Sequence, residues 1–324
     1  MQSTKTLALS AIFAAALAAC GGGGGDATPT ATTPTATTPP APTAQSTIVT
    51  SVPAATYAAG SDERAAYDLL NAERQKCGFG LLAQDTRLDA AAAAHVNYLL
   101  KNNVFSHAET AGLPGFTGVN PITRTAAQGY LGSAVGEDGG GVESGLANMR
   151  VLLVAPYHLS SLVSNYVDVG LSFQKTTVAQ QFSSALFIDL GVKTTNNPGQ
   201  LPATGTVLNY PCDGAVDVKP SFAGESPNWA ATTGIGAGGT PIVLTAPNGE
   251  TLAITNASIT PVGGGIVPVQ VLTAANDPNK FLKINKALII PPSSLVANSS
   301  YRVQITGTVA GAAFSKDFTF KTGS

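Results

Sequence analysis

Two short segments decide the predicted fold: residues 167–173, which read VDVGLSF, and residues 185–191, which read ALFIDLG. Apolar residues alternate with small or polar ones in both segments, and the turn between them allows the two to pair as antiparallel strands. The chain ahead of these strands carries helical signals instead. Helices first and strands after them, within one unit, predict an α+β fold in which helices and sheet form a sandwich.

Three helices are predicted ahead of the strands. The first covers residues 61–74, where a serine and two acids form a typical helix start. The second is rich in alanine and covers about residues 85–103, and the third covers about residues 144–154. A short helical piece is expected at residues 121–128, where a proline suits the first turn. The rest of the Gly- and Pro-rich stretch 104–140 is expected to be a long, functional loop.

The N-terminus carries an export signal. A positively charged start leads into an apolar stretch that is shorter than the about 20 residues needed to span a bilayer. The stretch ends in LAAC, residues 17–20, which resembles the bacterial lipobox. We therefore expect a lipoprotein signal peptide over residues 1–19 and two acyl chains on Cys20, enough for stable membrane anchoring. Cleavage after one of the alanines, without lipid, is the alternative.

The residue after the lipidated cysteine bears on location. Gly21 follows Cys20, and in Gram-negative lipoproteins this resembles the sorting signal for the outer membrane. The expected location is the bacterial cell envelope, with the protein anchored in the outer membrane and facing the periplasm or the cell surface.

Composition divides the rest of the chain into segments. Residues 20–52 consist of glycines followed by Thr, Pro and Ala repeats, which cannot bury a core, so we expect a disordered, extended linker. A first domain is expected over residues 53–215, a connector over residues 216–240 and a second domain over residues 241–324.

Charge and cysteine usage agree with export. Charged residues make up 11% of the chain, the formal net charge is -2 and no basic cluster occurs, so nucleic acid is not an expected partner. With Cys20 assigned to lipid, Cys77 and Cys212 remain as a pair in an oxidising compartment, which predicts a disulfide between them. Two buried free thiols are the alternative.

Residues 241–324 predict an all-β domain. Short apolar runs separated by turn residues indicate about six or seven strands, which is typical of a β-sandwich. Leu295 and Tyr301 resemble the tyrosine corner of immunoglobulin-like (Ig-like) and fibronectin type III modules. A module of that kind implies a spacer or adhesive role rather than an active site.

Two of the three histidines predict a shared cavity. His107 and His158 lie in short aromatic and polar contexts, and Glu137 lies between them in the sequence. Two imidazoles and a carboxylate can hold a divalent cation such as zinc with water in the open position. Alternatively, Glu137 can accept a hydrogen bond from one imidazole and fix its tautomer. The third histidine, His95, falls on the apolar face of the second helix, so we expect it to be a hydrogen-bonded core residue outside the site.

Several short motifs occur in a characteristic order over residues 60–195. They are LNAER at 70–74, FSH at 105–107, GE at 136–137, YH at 157–158 and DVG at 168–170. This order resembles the bacterial branch of the CAP superfamily, which groups cysteine-rich secretory proteins, insect venom antigen 5 and plant pathogenesis-related 1 proteins. The resemblance implies an α-β-α sandwich with a central cavity that presents two histidines and two acids.

By that resemblance His107, Glu137 and His158 take three of the four cavity positions, and in several members of the superfamily the histidines bind zinc or another divalent cation. The fourth position, an acid on the third helix ahead of His158, has no match, because residues 149–154 hold no acid. The tryptophan usual in that helix is also absent, and the family's Gly-His-Tyr signature is replaced by APYH at residues 155–158. These departures weaken the expectation of catalysis more than that of the fold.

The expected function is therefore that of a lipid-anchored binding module whose cavity holds a divalent metal or a small or lipidic ligand. The resemblance implies lipid, sterol or protein partners. One alternative is a secreted peptidase or other hydrolase that uses His107, Glu137 and His158. Another is a structural or adhesive envelope protein. Binding is preferred to catalysis because the Gly-x-Ser-x-Gly, His-Glu-x-x-His and Cys-x-x-Cys motifs are missing.

Overall fold

A computed structural model describes residues 46–193, 199–230 and 237–324. These described residues belong to one compact unit. The predicted signal peptide over 1–19 and the predicted lipidation at Cys20 lie outside the described residues. Within the described ranges, no helix combines the length and the apolar character needed to cross a membrane.

The last residues of the predicted linker belong to the folded unit. The backbone N–H of Thr47 donates to the carbonyl of Leu201 at 3.0 Å, and the carbonyl of Val49 accepts from Leu81 N at 2.9 Å. The paired structure therefore begins upstream of residue 53, where the first domain was predicted to start.

The first part of this unit is an α+β region. Its helices are α1 (Asp62–Lys76), α2 (Thr86–Asn102), α3 (Pro121–Ala127), α4 (Gly145–Leu152) and α5 (Pro156–Leu162). Its strands are β1 (Ala83–Gln84), β2 (Ala134–Gly140), β3 (Asp168–Lys175) and β4 (Ser184–Val192), in the sheet order β1-β3-β4-β2. The antiparallel pairing of β3 with β4 confirms the prediction made from the two alternating segments.

Side-chain caps explain where the longer helices begin. The Ser61 side chain accepts a hydrogen bond from the backbone N–H of Arg64, and the Asp85 side chain accepts one from Arg87. Ser144 caps α4 in the same way through Ala147 N. Each cap satisfies a backbone donor that has no partner inside the helix, so these starts are encoded locally.

Two of the elements that carry site residues were not predicted. Strand β2 lies inside the stretch that was predicted as a loop, because its three glycines hide the alternation expected of a strand. They are required by packing: a Cβ on Gly139 would lie 2.6 Å from Cζ of Phe187. Helix α5 begins with Pro156, and its N-cap residue Ala155 offers no side-chain hydrogen bond, so in the local sequence only the proline of the first turn marks its start.

Strand β4 is buried on both of its faces. Ala185 and Phe187 pack with residues of α2 in one hydrophobic cluster, whereas Leu186, Ile188 and Leu190 join the larger cluster that includes residues of α1 and α4. Successive side chains of a strand point to opposite faces. The sheet therefore separates α2 from α1 and α4.

The second part of the unit is mostly β structure in several sheets. Its strands are β5 (Leu208–Tyr210), β6 (Ala215–Val218), β7 (Ser221–Phe222), β8 (Gly238–Gly239), β9 (Ile242–Thr245), β10 (Leu252–Pro261), β11 (Gln270–Thr273), β12 (Lys286–Ile290), β13 (Ser300–Val309) and β14 (Ala312–Thr322). Two sheets have four strands each, in the orders β10-β13-β14-β6 and β11-β12-β9-β5, and β7 pairs with β8. The chain thus enters these sheets at Leu208, upstream of the boundary expected at residue 215.

The predicted disulfide between Cys77 and Cys212 is confirmed, with 5.3 Å between the two Cα atoms. Cys77 is the C-cap of α1, and Cys212 follows β5. The bond therefore joins the helical region covalently to the first strand of the C-terminal sheets.

Candidate functional site

His107 and Glu137 are directly bonded. His107 lies in the loop after α2, and its Nδ1 is 2.8 Å from Oε1 of Glu137 on β2. Oε2 of Glu137 accepts from the guanidinium of Arg124, which α3 supplies. Burial acts to raise the pKa of Glu137, but the His107 hydrogen bond and the Arg124 charge outweigh it and lower the pKa. Glu137 is therefore a carboxylate that orients His107.

A buried network holds the His107 loop in place. His95, fully buried on α2, places Nδ1 2.8 Å from Glu109 and Nε2 2.9 Å from the carbonyl of Ser106. Because a carbonyl only accepts, Nε2 carries a proton. Arg124 adds a hydrogen bond to the carbonyl of His107 at 3.1 Å. His95 is thus the hydrogen-bonded core residue predicted from its helix position, and it fixes the residue beside His107.

His158 pairs with an acid that the sequence did not suggest. Its Nδ1 is 2.9 Å from Oε2 of Glu225, which lies in the predicted connector. The same carboxylate accepts from the backbone N–H of Tyr157 at 2.9 Å and of His158 at 3.3 Å. The resemblance led us to expect a second acid on the helix ahead of His158, whereas the acid that contacts His158 comes from 67 residues downstream. No local motif signals that contact.

The Glu225 contact affects how His158 titrates. The imidazole is only 13% exposed, and burial acts to lower its pKa. The hydrogen bond to Glu225 and the charge of Asp138 outweigh this effect and raise the pKa above its usual value. Protonation of His158 thus depends on two carboxylates from different parts of the chain.

The two histidines face one cavity of about 380 Å³, with their ring centroids 6.4 Å apart. The structure therefore brings together His107, Glu137 and His158, the three residues predicted from sequence. The cavity is not confined to the first domain, because Phe281, Leu282 and Lys286 of the C-terminal region also line it. No feature of the sequence indicated that the second region would form part of the wall.

Asp138 also lines the cavity, although it was not among the predicted site residues. It is 2% exposed, and its Oδ2 has no hydrogen-bond partner among the described residues. Burial raises the pKa of Asp138 to about 6. Ser161 acts on this carboxylate through a side-chain hydrogen bond that opposes the effect of burial. A buried carboxylate with few donors is costly, so a ligand N–H or O–H group that bonded to Asp138 would stabilise it.

Asp189 on β4 lies opposite Glu137 on the neighbouring strand β2. It is fully buried, and neither carboxyl oxygen has a hydrogen-bond partner in the described ranges. Burial, and then the charge of Glu137, raise its pKa well above the usual value. The raised pKa favours the protonated form of Asp189, which adds no second negative charge beside Glu137.

Metal binding by His107, Glu137 and His158 stays a prediction. In the described part of the chain, no group of three or more His, Cys, Asp or Glu side chains is arranged to hold a metal ion. Glu137 already accepts hydrogen bonds from His107 and Arg124. In each cavity imidazole, Nδ1 is hydrogen-bonded to a carboxylate, that of Glu137 for His107 and that of Glu225 for His158. Two Nε2 atoms remain, fewer than the three protein ligands of a typical catalytic zinc site. The geometry instead matches the alternative in which Glu137 orients an imidazole.

Parts of this chain are similar to known proteins. The profile of the Cysteine-rich secretory protein family (CAP) matches residues 67–186. An outer surface protein from Borrelia burgdorferi is similar with 17% identity and a TM-score of 0.37, over 43% of this chain and 97% of that one. An extracellular protein with an SCP domain from Bacillus anthracis is similar with 19% identity and a TM-score of 0.35, over 41% of this chain and 40% of that one. A comparison with curated protein sequences finds no match.

The family match covers the segment that supplies both cavity histidines, Glu137 and most of the four-stranded sheet. It ends before β5, so the C-terminal sheets and Glu225 lie outside it. Residues 67–186 of this chain are a CAP domain.

Proposed function

We propose that this chain is an exported, lipid-anchored CAP-domain protein that binds a small ligand in the cavity between the CAP domain and the C-terminal sheets. The observation that carries the proposal is a cavity of about 380 Å³ in which Asp138, His107 and His158 line the wall together with residues of the C-terminal region. Binding sites for small molecules commonly measure about 300–1,000 Å³ and combine an apolar lining with a few polar groups.

The lining indicates the class of ligand. Phe79, Val163 and Leu282 supply apolar wall, and Asp138 and His158 are among the polar residues of the lining. A mainly apolar molecule with one hydroxyl or N–H group could hydrogen-bond to Asp138 and pack the rest of its surface against the apolar wall. A sterol has this shape and chemistry, and sterol or lipid binding is also what the CAP resemblance implies.

A divalent cation such as zinc is the second candidate. It is favoured by the pairing of each cavity imidazole with a buried carboxylate, because such pairs orient histidines that bind metals. His107 and His158 would each supply Nε2, and water would complete the coordination. Two protein ligands are one fewer than the three of a typical catalytic zinc site.

The remaining parts of the proposal concern architecture and location. We propose an α-β-α sandwich for the CAP domain and an Ig-like sandwich for the C-terminal region, with Cys20 as the membrane anchor. Two four-stranded sheets support the Ig-like assignment. So does the hydroxyl of Tyr301, which accepts from the backbone N–H of Val296 at 2.7 Å, as a tyrosine corner does. An adhesive role for this region is the alternative if the cavity binds nothing.

The test of ligand binding is a titration of the purified full chain with the fluorescent sterol dehydroergosterol. We expect saturable one-to-one binding that weakens at least tenfold in Asp138→Ala, because a hydrogen bond to a charged group is worth about 1.5–3 kcal/mol. Asp68→Ala, at an exposed acid on α1, is the matched control and should bind like the unmodified chain. Equal binding by all three proteins, or none by any, would contradict the proposed site.

The metal candidate is tested by calorimetric titration of zinc into the metal-stripped protein, beside the His107→Ala, His158→Ala double variant. Saturable one-to-one binding that disappears in the double variant would support a cation held by the two imidazoles. Equal or absent binding in both proteins would mean that the histidines act on an organic ligand or only on the structure of the cavity.

A further inference from the structure

A buried lysine joins the two regions at the wall of the cavity. Lys286, the first residue of β12, is 7% exposed, and its amine reaches helix α5 of the CAP domain. Nζ contacts the carbonyl of Ser160, lies 3.2 Å from the Ser160 hydroxyl and lies 2.5 Å from the Ser164 hydroxyl. All three residues line the cavity.

No carboxylate of the described residues neutralises this amine, because none places an oxygen within 4.0 Å of Lys286 Nζ. Burial lowers the pKa of Lys286 to about 7, and the charges of Lys283 and Arg74 act in the same direction, whereas Asp138 opposes them. A substantial fraction of the amine is therefore neutral near neutral pH.

Three oxygen atoms surround Nζ, from the carbonyl and the hydroxyl of Ser160 and from the hydroxyl of Ser164. The Ser164 hydroxyl donates to the carbonyl of Ser160 at 2.7 Å and accepts from Nζ, which holds Oγ in place beside the amine. A neutral amine has two N–H donors, which Ser160 can accept, and one lone pair. That lone pair can take the Ser164 proton once the hydroxyl turns from the Ser160 carbonyl towards Nζ. Ser164 is only partly buried, so a molecule in the cavity can reach it.

We propose that Ser164 and Lys286 form a serine–lysine pair that hydrolyses a small carboxylic ester bound in the cavity. This activity goes beyond the proposed binding function and uses neither His107 nor His158. A hydrogen-bonded nucleophile and base are the first geometric requirement of such a pair. Tyr157 and Phe281, whose ring centroids are 5.3 Å apart, supply aromatic wall for the apolar part of the ester.

The reaction balances with water as the second reactant. The neutral amine of Lys286 takes the proton of the Ser164 hydroxyl while Oγ forms a bond to the ester carbonyl carbon. The C–O bond to the alcohol then breaks, and the lysine ammonium returns the proton to the leaving alkoxide. Water, deprotonated by Lys286, attacks the acyl-serine, which releases the carboxylic acid and restores the Ser164 hydroxyl.

The experiment treats the purified full chain with a fluorophosphonate ester and locates the adduct by peptide mass spectrometry. We expect one phosphonyl group on Ser164, formed at least 100-fold more slowly in Lys286→Met, because a general base contributes about 10²–10⁴ in rate. Ser164→Ala should not be labelled at all. Ser161→Ala, which changes another serine of the same helix and cavity, should be labelled at the normal rate.

A pH profile separates a base from a structural lysine. The charged groups that face Lys286 are Lys283, Arg74 on α1 and Asp138 on β2. Labelling should rise as the pH passes through about 7, where the amine loses its proton. The absence of an adduct, an adduct on another residue, or a rate independent of pH between 5 and 9 would each overturn the proposal. Because the mapped position of the adduct decides the outcome, the test stands even if Lys286→Met folds poorly.

Discussion

At the scale of single residues, the two cavity histidines are held in the same way. Nδ1 of each is hydrogen-bonded to a carboxylate whose side chain is only 1% exposed, Glu137 for His107 and Glu225 for His158. Because an ionised carboxylate only accepts, Nδ1 carries the proton in both rings. In their neutral form, the two imidazoles therefore keep Nε2 as the acceptor atom.

The first prediction concerns the carboxylate behind His158. Glu225→Gln keeps an oxygen for the backbone N–H groups of Tyr157 and His158 but removes the negative charge. Because the Glu225 hydrogen bond contributes to the raised pKa of His158, we expect that pKa to fall in the variant. NMR titration of the imidazole Hε1 signals measures it, with His158→Gln to assign the resonance. An unchanged pKa would show that Glu225 does not bind the ring.

The same change alters the pH dependence of stability. A histidine whose pKa is higher in the folded than in the unfolded state stabilises the protein fully below its unfolded pKa, about 6.5, and loses that contribution as the pH rises through the folded value. We therefore expect Glu225→Gln to cost more stability at pH 6 than at pH 9 in urea unfolding. Asp217→Asn, at an exposed pair with Arg150, is the control and should show no such difference.

At the scale of elements, the packing of α2 on the sheet depends on a glycine of β3. A Cβ on Gly170 would overlap the backbone of Leu88 and Asp89 in the first turn of α2. Backbone cannot move aside as the tip of a side chain can, so we expect Gly170→Ala to lower the free energy of unfolding by about 1–3 kcal/mol.

Urea unfolding followed by circular dichroism measures this change. Gly265→Ala is the matched control, because a Cβ at Gly265 would meet no atom within 4 Å. A loss of stability below about 0.5 kcal/mol at Gly170, or an equal loss at Gly265, would show that α2 and β3 are not in close backbone contact at this position.

The elements also show how far the sequence could be interpreted. The start of α1 after Ser61 and of α2 after Asp85, and the pairing of β3 with β4, follow from caps and alternation, which are local signals. Strand β2 was missed because its glycines are needed for close packing and remove the apolar pattern. Glu225 could not be predicted, because its contact with His158 is made by the fold across 67 residues.

The predicted cavity illustrates the same limit. His107, Glu137 and His158 were found because they belong to recognisable motifs, and the structure brings them together. Asp138 stood beside Glu137 without a pattern of its own. Lys286 had no signal at all, because a lysine at the start of a strand is usually exposed to solvent and only the docking of β12 near α5 buries it.

At the scale of the whole molecule, polar contacts and a covalent bond join the CAP domain to the C-terminal sheets. The hydroxyl of Tyr157 donates to Asp277 and accepts from Asn279 at 3.0 Å, while Lys286 binds the end of α5. The hydrophobic core also runs through both regions without interruption. Unfolding of either region would therefore expose buried surface of the other. We expect the two regions to unfold together.

Two probes can follow this joint unfolding separately. The five α-helices of the described residues all lie between residues 62 and 162, so circular dichroism at 222 nm reports the CAP domain. Trp229, the only tryptophan, lies in the connector and is 3% exposed, so its fluorescence reports the C-terminal side. We expect the two urea transitions of the oxidised protein to coincide, and separate midpoints would show that the regions unfold independently.

Removing the disulfide tests what the covalent bond adds to this cooperativity. Cys77 and Cys212 are 135 residues apart, so their bond restricts a long loop of the unfolded chain. We expect the Cys77→Ala, Cys212→Ala double variant to lose about 2–5 kcal/mol of unfolding free energy. Because the polar contacts and the shared core remain, its two transitions should still coincide. If the midpoints separate only in this variant, the disulfide rather than the packed interface couples the two regions.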